Sequence, residues 1–198
     1  EVGLSGKAKP VLLLHGYGVN CSCWLVLRNR LLGAGYKDVW AMTYISMGNS
    51  FDDILEQVKN RIRTIHRQYP DEKIFCIGHS MGGLLVRAAA NDPEIAELMR
   101  GMICIGSPHK GSRMAAWALT SVGRELLYRA KLAKRMNPMP GPENMPKLSI
   151  YSPIDNMVLP NKALRVDQPN WEAELTGMQS HSSLLFSKDV HKRVISFM

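Results

Sequence analysis

No stretch of this 198-residue chain approaches the roughly 18 consecutive apolar residues that a membrane-spanning helix needs. Residues 1 to 10 carry none of the apolar run of a secretory signal, and because Glu1 is not Met, an upstream segment has room to exist. Cysteine is scarce and ungrouped. Cys21 and Cys23 stand one residue apart and Cys76 and Cys104 each lie inside an apolar run, so no zinc-ligand spacing is present and buried free thiols are expected. The even count leaves a Cys76–Cys104 or Cys21–Cys23 disulfide open, and with it the compartment. Acids are the minority charge: 17 against 25 basic residues give a net +8, which favours anionic surfaces such as acidic lipid. No nucleic-acid motif accompanies that excess, so nucleic acid is not an expected partner. Internal repeats are missing too.

What is there reads as one globular domain over residues 1–198, since 45% hydrophobic and 21% charged residues set aside a disordered or collagen-like chain. Three short apolar runs, Val11 to Leu14, Lys73 to Ile77 and Met102 to Ile105, are each followed by glycine and a longer segment of helical period. That alternation predicts an α/β fold with a parallel sheet covered on both faces. Weaker strand candidates at Val39 to Tyr44, Lys147 to Tyr151 and Ala173 to Thr176 bring the total to about six. The clearest predicted helix runs from Phe51 to Tyr69, where Ile54, Val58, Ile62, Ile65 and Tyr69 share one face. Ser50 with Asp53 resembles a capping box at its start, and Pro70 follows its end. Further helices are predicted over Ser22 to Leu32, Met81 to Asn91, Ser112 to Met136 and Ser182 to Phe197. The Pro-rich stretch from Asn137 to Pro146 reads as a loop.

Gly78-His79-Ser80-Met81-Gly82 fits the G-x-S-x-G nucleophile elbow. The pentapeptide alone decides little, but a strand before it and a helix after it supply the context the motif needs. A sharp strand-to-helix turn would strain the serine backbone, and the flanking glycines would remove side chains that otherwise collide. The bland alternative is a glycine-rich turn capped by Ser80. A hydroxyl is a weak nucleophile at neutral pH, so Ser80 needs a base, and the base needs a third group to fix its tautomer. In α/β hydrolases the acid and then the histidine follow the serine in the chain, which sets aside His15 and His66. His181, after the last predicted strand, is the favoured base. His109 is its rival or else a pocket-lining or structural residue, and His191 reads as part of a solvated helix face. Asp155, in a turn after the strand Lys147 to Tyr151, is preferred as the acid over Asp167, which has no clear strand before it. Backbone N–H groups of Met81 and Tyr17 occupy the positions expected of an oxyanion hole.

Five segments together resemble the small, cap-less bacterial lipases and esterases of the α/β-hydrolase superfamily. They are Pro10 to Gly16, Gly78 to Gly83, Gly106 to Ser112, Tyr151 to Val158 and Ser180 to Leu185. The resemblance implies a minimal α/β-hydrolase fold, a Ser80–Asp155–His181 triad and oxyanion donors at Tyr17 and Met81. The expected reaction is two-step acyl transfer on a small-molecule or lipid ester, with no metal or organic cofactor, by a monomer. Phospholipase, thioesterase and acyltransferase chemistry share such a triad, and a non-catalytic binding protein of the same fold is the distant alternative. The sequence departs from the smallest members between Gly111 and Pro146. There a basic amphipathic helix over residues 112–136 is expected as a lid, as a contact with anionic membrane, or as a plain surface helix.

Overall fold

The computed structural model describes residues 9–198, so most of the opening stretch lies outside the described residues. Six strands form one parallel sheet: β1 (Val11–Leu14), β2 (Val39–Met42), β3 (Ile74–His79), β4 (Met99–Ile105), β5 (Lys147–Tyr151) and β6 (Glu172–Leu175). Their order is β2-β1-β3-β4-β5-β6. The chain leaves β1 toward one edge and crosses back to β3, so the loops at the carboxyl ends of β1 and β3 diverge from a common point, where open α/β sheets hold their ligands.

Side-chain alternation along the strands feeds two cores. Leu12, Leu14, Cys76 and Met102 pack with Ile54, Val58, Ile62 and Ile65 of α2 (Phe51–Gln68) and with Leu85 of α3 (Met81–Ala89). Val11, Leu13, Ile77, Ile103 and Ile105 meet Leu27 and Leu31 of α1 (Leu25–Gly33) and Val190 and Val194 of α7 (Lys188–Phe197). Burial on both faces is why β1, β3 and β4 are continuously apolar. Each such side chain contributes about 1.5–3 kcal/mol on leaving water. The capping box forms as expected: Ser50 Oγ accepts from the Asp53 N–H at 3.2 Å, and the Asp53 carboxylate accepts from the Ser50 N–H at 2.8 Å.

Three expectations need correction, and one helix is added. Residues 112–136 are not one helix but a 3₁₀ turn (Arg113–Trp117) and two short helices, α5 (Ser121–Glu125) and α6 (Lys131–Met136). Local caps and backbone geometry override the amphipathic pattern. Thr120 Oγ captures the Gly123 N–H at 3.2 Å, Ala118 is extended, and Arg129 takes a left-handed φ of 59°. The segment between α3 and β4 contains α4 (Pro93–Glu97), started by an Asp92 cap with proline in its first turn, a signal the sequence reading passed over. Residues 182–197 divide into a 3₁₀ turn, Ser183–Leu185, and α7, which Ser187 caps. His191 is buried rather than solvated, 1% exposed, and donates through Nε2 to the Leu185 carbonyl at 2.7 Å, tying α7 to that turn.

The segment between β4 and β5 is fastened to the start of α2. Arg135 grips Asp52 in the first turn of α2 with two bonds of 2.9 and 2.7 Å, and Glu125 accepts from the Phe51 N–H at 3.1 Å. The Pro-rich loop is held by its carbonyls. Arg87 donates to Met139 O at 3.0 and 2.7 Å, Lys147 to Pro142 O at 2.5 Å and the Trp171 indole to Pro140 O at 3.0 Å. All four cysteines are free, with Cys76 and Cys104 buried and Cys21 and Cys23 partly exposed.

Candidate active site

Between β3 and α3 the backbone reverses through Ser80 at φ 54° and ψ −122°, a region that costs an L-residue about 1–3 kcal/mol. The glycines around it are required sterically. A Cβ on Gly78 would lie 2.2 Å from the Gly82 carbonyl carbon, and one on Gly82 would lie 2.1 Å from Leu14 O. The Ser80 N–H donates to Ile105 O at 2.8 Å, which locks the turn onto β4. Met81 opens α3, so its N–H is among the donors that a helix start leaves without an intrahelical partner.

Asp155 and His181 come together as the sequence predicts. His181 Nδ1 lies 2.7 Å from Asp155 Oδ2, and both residues are buried, at 7% and 2% exposure. The other carboxylate oxygen accepts from the N–H groups of Met157 at 2.9 Å and Val158 at 2.8 Å. Burial pushes the Asp155 pKa up, but the His181 hydrogen bond and charge, with those two N–H donors, outweigh it and hold the carboxyl below its ordinary value. A charged carboxylate against Nδ1 keeps the proton on that nitrogen and leaves Nε2 with its lone pair. Ser80 and His181 both line a cavity of about 420 Å³ whose walls include Tyr17, Met114, Trp117 and Met157. No hydrogen bond joins Ser80 to His181 among the described residues; such contacts often tighten only when substrate arrives.

The loop after β1 closes one side of this cavity. A Cβ on Gly16 would stand 2.9 Å from the Ser80 Cβ, which places the Tyr17 backbone beside the elbow. His15 and Tyr44 fix this loop: their rings stack with centroids 4.0 Å apart, Tyr44 N–H donates to His15 Nε2 at 3.2 Å, and the Tyr44 hydroxyl donates to the His15 carbonyl. His79 stands behind His181, with ring centroids 4.7 Å apart, and donates through Nε2 to the His181 carbonyl at 3.1 Å. Asn156 Oδ1 accepts from the His181 N–H at 3.1 Å. Sequence reasoning missed Tyr44, His79 and Asn156 in these supporting positions; only His79, inside the elbow motif, carried a local signal.

The rivals lie elsewhere. His109 is 2% exposed, with Nδ1 facing the Arg87 guanidinium at 3.3 Å and Nε2 facing Ser149 at 3.5 Å, so it is a structural residue. Asp167 pairs with Lys110 at 2.5 Å on the surface. Burial, with the charge of His181 next, pulls His79 down to about 3, and burial with the charges of Arg87 and Lys110 takes His109 well below 6.5. Both are thus neutral when folded but protonate when unfolded, so the unfolded state binds more protons below about pH 6.5. Their stabilising contribution is complete above that pH and drains away as it falls, by about 1.4 kcal/mol per unit for each histidine. The melting temperature is expected to fall between about pH 6.5 and about pH 5, above the ordinary carboxylate range. Scanning fluorimetry showing a flat profile there would contradict it.

The relatives agree with this architecture. A sequence model of the alpha/beta hydrolase family matches residues 11–193. Mouse monoglyceride lipase is 32% identical over 112 residues, covering 51% of this chain and 36% of that protein, so the match spans about a third of that relative's length. Lipase B of Aspergillus fumigatus superposes with a TM-score of 0.81 at 17% identity, over 95% of this chain and 52% of that one. The mature lipase BlEst2 of Bacillus licheniformis gives 0.78 at 17%, over 96% and 93%. The monoacylglycerol lipase of Paleococcus ferrophilus gives 0.71 at 16%, over 96% and 95%. These three likenesses speak to the fold. With a family match running from β1 into α7 across the whole parallel sheet, the chain belongs to the α/β hydrolase family.

Proposed function

We propose that this chain hydrolyses carboxylic esters of lipids by two-step acyl transfer, with Ser80 as nucleophile, His181 as base and Asp155 as the orienting acid. The observation that carries the reading is the Asp155–His181 pair at 2.7 Å opening on the cavity that strained Ser80 also lines. Ser80 Oγ attacks the ester carbonyl carbon while His181 Nε2 takes its proton. The oxyanion is met by the N–H groups of Met81 and Tyr17. His181 then protonates the departing alcohol, and water activated by the same nitrogen releases the acid from the acyl-enzyme. A largely apolar wall, with Met114, Trp117, Leu126 and Leu185, suits an acyl chain, and relatives named as monoglyceride lipases support a lipid ester. Hydrolysis of nitrophenyl esters graded from short to long acyl chains, with labelling by a fluorophosphonate, tests the proposal. A folded sample that neither turns over nor labels would favour the binding-protein alternative. Thioesters and phospholipids in the same panel separate the other acyl chemistries.

The rim of the cavity supports contact with a lipid surface. Trp117 and Leu119 are 83% and 90% exposed, with Arg113 and Arg124 on the same short segment. Two large apolar side chains facing water beside cations suit insertion among anionic headgroups. Leu119→Asp, outside the cavity lining, is expected to lower hydrolysis of emulsified ester several-fold while sparing a short soluble ester. Liposome sedimentation showing negligible, equal binding of the parent to neutral and anionic vesicles would contradict the contact.

A further inference from the structure

The segment between β4 and β5 also walls a second cavity, of about 500 Å³, that shares no lining residue with the one at Ser80. Its charged lining is lopsided: Lys110, Arg129, Lys134 and Lys162 against the single acid Asp167. Asp167 is taken up by Lys110 at 2.5 Å. Among the described residues Arg129, Lys134 and Lys162 have no acidic partner within ion-pair distance. These cations come from separate stretches of chain that hydrogen bonds tie together. The Lys110 N–H donates to Ala163 O at 3.1 Å, the Arg129 N–H to Lys110 O at 2.9 Å, and Gln168 Nε2 to Asn137 O at 2.6 Å. Arg129 is held in the left-handed region, a local strain that the surrounding bonds enforce. The Tyr128 ring forms part of the wall, with the Arg129 and Arg113 guanidiniums 5.2 and 5.8 Å from its centre.

Like charges gathered in one concave space repel each other unless an anion joins them, and a cleft lined by one sign concentrates the opposite ion. Three unneutralised cations suit a dianion with several acceptor oxygens better than a lone carboxylate. The volume is in the range of small-molecule sites, which leaves room for an organic portion against Tyr128 and Ala133. We propose that this cavity binds a phosphomonoester, its phosphate held by Arg129, Lys134 and Lys162, with Lys110 shared between the phosphate and Asp167.

Calorimetric titration of the intact chain with glycerol phosphate at low ionic strength tests the site. Binding is expected in the parent and is expected to weaken at least about tenfold in Lys134→Glu/Lys162→Glu. It should be unchanged in Lys188→Glu/Lys192→Glu, which makes the same charge change on exposed α7 residues outside the cavity. No binding by the parent, or equal losses in the two charge-matched variants, overturns the proposal. Hydrolysis of a soluble nitrophenyl ester by the cavity variant is expected to match the parent, so this test is independent of the Ser80 reading. Sedimentation with phosphatidylcholine vesicles carrying equal fractions of phosphatidic acid or phosphatidylglycerol identifies the source. A preference for phosphatidic acid that the cavity variant loses assigns a lipid headgroup, and glycerol phosphate binding without that preference assigns a soluble ester.

Discussion

A Ser80→Ala protein is expected to fold as the parent does and to hydrolyse nitrophenyl esters at least about 10⁴-fold more slowly. The hydroxyl makes no hydrogen bond among the described residues, so its loss removes no support from the elbow. The strain at φ 54° is carried by either side chain, because it arises from Cβ, which both possess. What disappears is the atom that would form the acyl-enzyme. The residual rate should come from the oxyanion donors and from substrate binding. Matched circular dichroism and melting curves establish the fold, and kcat/KM with loss of fluorophosphonate labelling establishes the chemistry. A folded variant retaining near-parental activity would remove Ser80 from the mechanism.

Asp155→Asn is expected to lower kcat by about 10³–10⁴-fold with a much smaller effect on KM. The size follows from the two faces of that carboxylate. The N–H groups of Met157 and Val158 at 2.9 and 2.8 Å require an oxygen at the first position, so an asparagine would present its NH₂ to His181 Nδ1. A donor there shifts the ring proton to Nε2, the nitrogen that accepts from Ser80 in the proposed mechanism. Asp167→Asn, on the surface salt bridge with Lys110, should leave kcat within about twofold. Equal kcat for the parent and the folded Asp155→Asn protein would sink the assignment of the acid.

The sheet was legible because burial on both faces leaves little freedom: β1, β3 and β4 had to be short, continuous apolar runs. Helix α2 announced itself through one apolar stripe, a capping box and a terminal proline, all local. The Asp155–His181 pair could be found because the order of elements brings their loops to the same end of the sheet. The segment 112–136 misled because amphipathic spacing says nothing about Thr120 closing a local cap or Arg129 turning left-handed. His191 misled for a related reason: its charged neighbours face solvent while the ring turns inward to Leu185. The supports of the site, Tyr44 on His15 and His79 on His181, join residues 29 and 102 positions apart, and one sequence does not display such pairings.

The fastening of the Pro-rich loop has its own chemical character. The side chains that reach its main-chain oxygens are a guanidinium, an ammonium, an indole and the Gln168 amide, so moderate acid neither neutralises an acceptor nor removes a donor proton. Acid strong enough to protonate Asp155, whose carboxyl is held below its ordinary value, would unmake the carboxylate–imidazole pair and still leave that loop latched. Only protonation of His109, whose ring abuts Arg87, would set two positive charges face to face and work the latch loose.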